Sequence, residues 1–222
     1  MKLYRYTLGV CLLFASLTAN AQDWSSSMSI GVEKKVAGIK LSLEEDFRTR
    51  DNFSTVDRFS TDFTAMYKPW KFLKVGAAYN LINQNHETKG WEVRHRHYFY
   101  ATGEYEWQRF TLSLREKYQS TYRVGVEETA TRINPKQFLR SRLELDYNIK
   151  KCKWNPYASM EFYKPLNDPN DSRIRKIKYR VGAEYKLSKH DALDFAFTYS
   201  NFRDDDDISE KNMIGVGYVR KF

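Results

Sequence analysis

Cysteine is nearly missing from this chain: 2 in 222 residues, Cys11 and Cys152. A disulfide scaffold is thereby excluded. Long apolar runs are missing as well. Past the N-terminus no stretch approaches the roughly 18 apolar residues that a spanning helix needs, so a bundle of transmembrane helices is excluded. Helical spacing of apolar residues never persists. Basic residues are in excess, with 37 Lys and Arg against 28 Asp and Glu and a formal charge of +9, yet they form no stripe. They alternate along the chain with acids nearby, which argues against a nucleic-acid partner. What is abundant excludes disorder: 16 Tyr, 14 Phe and 5 Trp can bury a core.

The first 21 residues have the three parts of a secretory signal. Lys2 and Arg5 form a positive region, Leu8–Leu17 an apolar one, and Ala19-Asn20-Ala21 an A-x-A cleavage site. Cys11 lies inside the apolar region without the surroundings of a lipidation site. The expected domain plan is a signal peptide over 1–21 and one domain over 22–222. Once Lys2 and Arg5 leave with the signal, +9 becomes +7, and Cys152 has no intrachain partner.

From Ser26 onward the dominant period is two. Ile39, Leu41, Leu43 and Phe47 share one face, opposed by Lys40, Ser42, Glu44, Asp46 and Arg48. Leu139, Leu143, Leu145 and Tyr147 oppose Arg140, Arg142, Glu144 and Asp146. The pattern predicts about eleven strands, near Met28–Val36, Ile39–Arg48, Arg58–Tyr67, Leu73–Asn83, Arg94–Tyr105, Arg109–Tyr122, Leu139–Tyr147, Pro156–Tyr163, Ile177–Leu187, Ala192–Ser200 and Met213–Phe222. Strands of this length suit a bilayer, which a tilted strand crosses in about 9–11 residues. Short connections such as Lys68–Lys71 and Ser188–His190 alternate with longer polar ones at Asp51–Val56, Gln84–Trp91, Val124–Phe138, Lys164–Lys176 and Asn201–Lys211. Tyr and Phe cluster near strand ends, as interfacial girdles require.

The expected fold is therefore all-β: an antiparallel, up-and-down transmembrane β-barrel of 10–12 strands in the outer membrane. Bacterial single-chain barrels have even strand numbers, so twelve is favoured. Twelve needs one strand beyond the eleven; the alternative is ten, with Met28–Val36 outside the wall.

On the barrel reading one face of each strand lines the lumen. It carries Glu44, Asp46 and Arg48; Arg58 and Asp62; Arg94, Arg96 and Glu104; Arg115 and Lys117; Arg140, Arg142, Glu144 and Asp146; Glu161; and Arg180 with Glu184. Unpaired charge there is costly, so these groups should interlock as ion pairs. Either they plug the barrel or they leave a selective path for a small anion. The terminal Phe222 resembles the aromatic signal by which barrel-assembly machinery receives its substrates, although Arg220 stands where an apolar residue is usual.

Several segments resemble a known family. They are Arg48–Asn52, Arg94-His95-Arg96, Leu114–Tyr118, Leu139–Leu143, Cys152–Ser159 and Met213–Tyr218. The chain is similar over nearly its whole mature length to the family catalogued as domain of unknown function 2490. The resemblance implies an outer-membrane barrel of a Gram-negative envelope and brings no catalytic residues.

The residues single out no active site. His95 and His97 share an outward strand face with Phe99 and Ala101, which suits a girdle better than a metal. Asp204–Asp207 is read as a solvated loop rather than a Ca²⁺ site, since it lacks EF-hand spacing. No cofactor, metal or catalytic residue is expected. The favoured function is a structural envelope barrel or narrow small-solute channel with an occluded lumen. One alternative is an outer-membrane lipid-modifying enzyme using an outward serine such as Ser141. The other is a soluble periplasmic ligand-binding barrel. The expected surroundings are outer-membrane lipid and lipopolysaccharide, and the expected state is a monomer.

Overall fold

The computed structural model describes residues 24–129, 133–168, 173–202 and 212–222. The signal segment and Asp204–Asp207 lie outside the described residues. Eleven strands run in chain order: β1 (Trp24–Val36), β2 (Ile39–Arg50), β3 (Thr55–Trp70), β4 (Leu73–His86), β5 (Gly90–Trp107), β6 (Phe110–Arg123), β7 (Lys136–Tyr147), β8 (Trp154–Pro165), β9 (Lys176–Lys186), β10 (Asp191–Phe202) and β11 (Asn212–Lys221). They close into one barrel in sequence order, with β11 returning to β1. Closure leaves no sheet edge exposed.

Alternation decides which way each side chain points, because successive residues of a strand face opposite sides. The apolar set faces outward. Met28, Phe99 and Leu114 are 61%, 60% and 51% exposed. Few apolar side chains are buried: Ala78, Ile82, Ala192, Ala196 and Met213. The buried groups are mostly polar, among them Gln84, Thr102, Gln119, Thr121 and Glu161. A soluble barrel has the reverse arrangement, with its apolar face inward. This chain has the inside-out pattern of a barrel solvated by lipid.

The connections sort by end. Ala37-Gly38, Lys71-Phe72, Gln108-Arg109, Asn148–Lys153 and Leu187–His190 close one rim, here called the turn end. The other rim, the loop end, carries the β2–β3, β4–β5, β6–β7, β8–β9 and β10–β11 connections. Ala37 and Gly38 both have positive φ, which lets so tight a turn join two long strands.

Aromatic girdles ring both rims on the outer face. At the turn end Trp107 stacks on Phe110 at 6.2 Å and Phe110 meets Tyr147 at 4.8 Å. Trp154 lies 4.7 Å from Tyr185. Near the loop end Phe47, Phe59 and Trp91 form a run with centroids 5.0 and 5.8 Å apart. Amphipathic rings suit the interface between hydrocarbon and headgroups.

Three expectations need adjustment. The Gln84–Trp91 loop is shorter than the sequence indicated, because Gln84 pairs with Glu92, Asn85 with Trp91 and His86 with Gly90. Polar residues there need no burial, so the hairpin extends while keeping its backbone hydrogen bonds. Lys68-Pro69-Trp70 belongs to β3 rather than to a turn; a register shift between Tyr67 and Trp70 accommodates the proline. The third adjustment is the strand number. Parity favoured twelve; the described residues form eleven. Met28–Val36 is part of a wall strand, and the odd number is resolved at one seam where β1 and β11 run parallel. Every other neighbouring pair is antiparallel.

Candidate functional site: a charged lumen

Strand register brings the inward residues into rows. Arg115, Arg142, Glu161 and Lys178 lie side by side on β6, β7, β8 and β9. Glu44, Asp62, Asn80 and Arg96 make a similar row on β2 to β5. Backbone pairing thus places groups together that are far apart in sequence.

The densest node is on β6–β8. Arg140 holds Glu161 with two N–H groups, Nε to Oε1 at 3.1 Å and Nη2 to Oε2 at 2.7 Å. Its Nη1 donates to Gln119 Oε1 at 2.6 Å. The Tyr163 hydroxyl donates to Glu161 at 3.0 Å, and the guanidinium lies 4.3 Å from the Tyr163 ring centroid. A forked, two-bond pair of this kind is both strong and geometrically specific. Burial of both partners means that removing one strands the other.

A second node centres on Asp62. It accepts from Thr64 at 2.7 Å, Asn80 at 3.0 Å and Tyr98 at 2.8 Å. Lys117 sits 4.2 Å over the Tyr98 ring. A third joins β8, β9 and β10: the Tyr157 hydroxyl donates to Asp194 at 2.8 Å, and Arg180 donates to both Tyr157 and Asp194. Toward the turn end Glu104 accepts from Lys68 and Lys74. Arg48 pairs with Asp46 at 2.6 Å, Arg94 with Glu92 at 3.1 Å and Arg142 with Glu144 at 3.6 Å, each along its own strand. Arg58 pairs with Asp57 at 2.8 Å. Arg96 and Arg115 donate to the hydroxyls of Thr121 and Thr102, each at 3.0 Å. Glu184 meets Asn155 at 3.5 Å. Glu44 and Asp146 stand among other acids, Glu44 near Asp46 and Asp62, and Asp146 near Glu144.

Two glycines let tyrosines lie flat against the wall. A Cβ at Gly76 would fall 2.4 Å from the Tyr100 ring. One at Gly182 would fall 2.6 Å from both Tyr157 and the Phe195 carbonyl oxygen. With its ring flat over Gly182, Tyr157 on β8 spans β9 and reaches Asp194 on β10. At the turn end a cavity of about 440 Å³ remains, lined by Arg142, Glu144, Asp146, Tyr157, Arg180 and Asp194 among others.

Other groups belong to this lumen beyond the set expected from sequence. Glu92, Lys178 and Asp194 have the same strand parity as the charged groups beside them, and so do Tyr98, Tyr157 and Tyr163. Alternation alone was signal enough for them. Asp57 carried no such signal. By parity it should point outward with Phe59, yet it is fully buried at the loop end, next to the register shift between Arg48 and Thr49.

The outward candidates lie elsewhere. The Ser141 hydroxyl donates to Glu116 Oε2 at 2.7 Å on the outer face. His95 Nδ1 lies 2.6 Å from the Tyr79 hydroxyl, and His97 is exposed on the same outer face. Among the described residues no group of three or more His, Cys, Asp or Glu is placed to hold a metal ion. Phe222 continues the β11 edge, its N–H donating to the Glu33 carbonyl at 2.8 Å.

Comparison with known proteins agrees with this geometry. Two solved barrels share the fold. The NanC porin superposes with a TM-score of 0.52 at 13% identity, covering 81% of this chain and 87% of its own. The KdgM porin gives 0.50 at 15% identity, covering 80% and 89%. No curated protein matches the sequence. Residues 23–212 match the family described as protein of unknown function (DUF2490). An inside-out barrel of porin fold with a charged interior is thus the form taken by this chain, which belongs to the DUF2490 family.

Proposed function

We propose that the protein is an outer-membrane barrel whose lumen is occluded to all but small polar solutes, serving as a structural envelope protein or a narrow channel. One observation carries the reading: long inward side chains reach over the interior and interlock between strands. Arg140 on β7 joins Glu161 on β8 to Gln119 on β6, Tyr98 on β5 reaches past β4 to Asp62 on β3, and Tyr157 on β8 reaches past β9 to Asp194 on β10. In a barrel this narrow the side chains themselves fill much of the interior. The closed wall, the outward apolar face and the porin fold support an outer-membrane location among lipid and lipopolysaccharide. The exposed aromatic Phe222 is proposed to act as the assembly signal.

Planar bilayers test the reading. Purified protein should give no large, stable conductance steps. Arg140→Ala, which removes the hub of the densest node, should make larger steps appear. Large steps from the unaltered protein would refute occlusion. Recovery of the protein in the soluble fraction after carbonate washing would refute the membrane location.

A further inference from the structure

The two rims of the barrel differ in charge. The turn end is built from the segments 33–40, 68–74, 104–109, 146–153, 184–191 and 220–222. Together they carry 14 Lys and Arg against 6 Asp and Glu and the terminal carboxylate. The loop-end segments 50–58, 86–94, 123–136, 164–176 and 202–212 carry 13 residues of each sign. The net +7 of residues 22–222 therefore sits almost wholly at the turn end.

The acids at that rim are mostly engaged. Glu33 pairs with Lys40, Glu104 with Lys68 and Lys74, and Asp191 with Arg220. Asp146 and Glu184 line the lumen cavity rather than the outer edge. By contrast Lys34, Lys35, Lys71, Arg109, Lys150 and Lys151 are all exposed. None of these six is in an ion pair among the described residues. The same turns hold the aromatic girdle. Lys71 lies between Trp70 and Phe72, whose rings stack at 6.1 Å, and Arg109 lies between the stacked Trp107 and Phe110. Lys153 Nζ stands 5.8 Å over the Tyr185 ring. Girdle rings mark the level of the lipid headgroups, so these cations stand at that level too. Long Lys and Arg stems can lie along apolar surface while their charged ends meet headgroup phosphates.

We propose that the turn rim is a collar that gathers anionic glycerophospholipids, of the phosphatidylglycerol class, around the barrel. This rests on the outer-membrane location proposed above. In such barrels the short turns face the periplasm, so the collar meets the glycerophospholipid leaflet. The attraction is the sum of many exposed cations over a negative surface, which salt screens. The balanced loop rim gathers no such lipid.

The test reconstitutes the full barrel in phosphatidylcholine vesicles and quenches its tryptophan fluorescence with brominated phosphatidylglycerol or brominated phosphatidylcholine. Trp24→Phe with Trp91→Phe leaves Trp70, Trp107 and Trp154, all at the turn rim, as reporters. They should favour phosphatidylglycerol over phosphatidylcholine at least about threefold, and the preference should vanish at about 0.5 M salt. In that background Lys71→Gln with Arg109→Gln should lower the preference at least about twofold. Lys89→Gln with Lys164→Gln removes the same charge from exposed positions at the loop rim and should leave the preference unchanged. A heat-modifiable gel shift confirms that each variant is folded. The proposal is overturned if the turn-rim reporters show no preference, if the preference survives high salt, or if the two double variants lower it equally. Retention on purified peptidoglycan sacculi without any phospholipid preference would also overturn it, by assigning the rim to the wall polymer. Brominated phosphatidylcholine separates the two readings. No quenching by it refutes the membrane location and the collar with it; quenching by it without a phosphatidylglycerol preference refutes the collar alone.

Discussion

The two sides of the lumen wall are built differently. Across β5 to β9 the inner face is crowded with arginine, lysine, glutamate and tyrosine, tied by the Arg140–Glu161 and Asp62–Tyr98 nodes. Across β10, β11 and β1 it is mostly small: Ala192, Ala196, Gly215, Gly217, Ser25, Ser27, Ser29 and Gly31, interrupted by Asp194, Thr198, Met213, Val219 and Glu33. The bare wall contains the parallel seam, where Ser27 faces Gly215 and Ser29 faces Gly217. Parallel pairing is slightly weaker per residue than antiparallel. Small side chains let these two strands close without long groups competing for space. The contrast teaches that the long charged side chains project from one side of the lumen and small ones face them from the other.

The largest effect should come from the crowded side. Arg140→Ala leaves Glu161 buried without its fork and should cost about 3–5 kcal/mol. Urea unfolding in detergent, followed by tryptophan fluorescence, measures it. Pairing Arg140→Met with Glu161→Leu should recover most of the loss, because both charges then leave together. If the double variant is as unstable as the single one, the crowded wall is not organised around that pair.

Next come the glycines. Gly182→Ala drives a Cβ against the Phe195 backbone carbonyl, which cannot swing away, and should cost about 1–3 kcal/mol. Gly215→Ala on the bare side comes close to Ser27 Oγ, at 2.9 Å, and a hydroxyl can rotate; the Ala196 carbonyl oxygen, at 3.8 Å, is at ordinary contact distance. It should cost less than about 1 kcal/mol, and adding Ser27→Ala should remove even that. Equal losses at Gly182 and Gly215 would erase the distinction between the walls. The smallest effect is expected outside both. Ser141→Ala on the lipid face should shift stability by no more than about 0.5 kcal/mol. It should also leave labelled phospholipid and lipopolysaccharide untouched; turnover that disappears with this substitution would support a lipid-modifying enzyme.

Much of this architecture was legible in the sequence, for one physical reason. A strand with lipid on one side and water or ion pairs on the other must alternate strictly, and a one-residue slip would reverse every side chain. Leu139 through Tyr147 could therefore be assigned to faces without coordinates. What alternation cannot convey is which strands become neighbours at closure, so the parallel seam was out of reach. Nor can it show a shift of register: Asp57 looked outward and is buried. Pairings such as Arg140 with Glu161 depend on diagonal reach between β7 and β8, which parity narrows but does not fix. The flat tyrosines over Gly76 and Gly182 were hidden for a similar reason, since each needs its cross-strand partner to be known.

The odd number of strands also fixes where the two ends of the wall lie. Trp24 stands at one rim and Lys221 at the other, because β1 and β11 point the same way. In an even barrel the first and last strands meet at a shared rim, and a tight turn can splice them. Here a splice would have to climb the full height of the wall. At about 3.3 Å per residue, the 10 residues of β11 alone rise about 33 Å. A circular permutant reopened at Ala37-Gly38 would need a linker of at least about ten extended residues to follow that climb. With a two-residue splice, the barrel should no longer close.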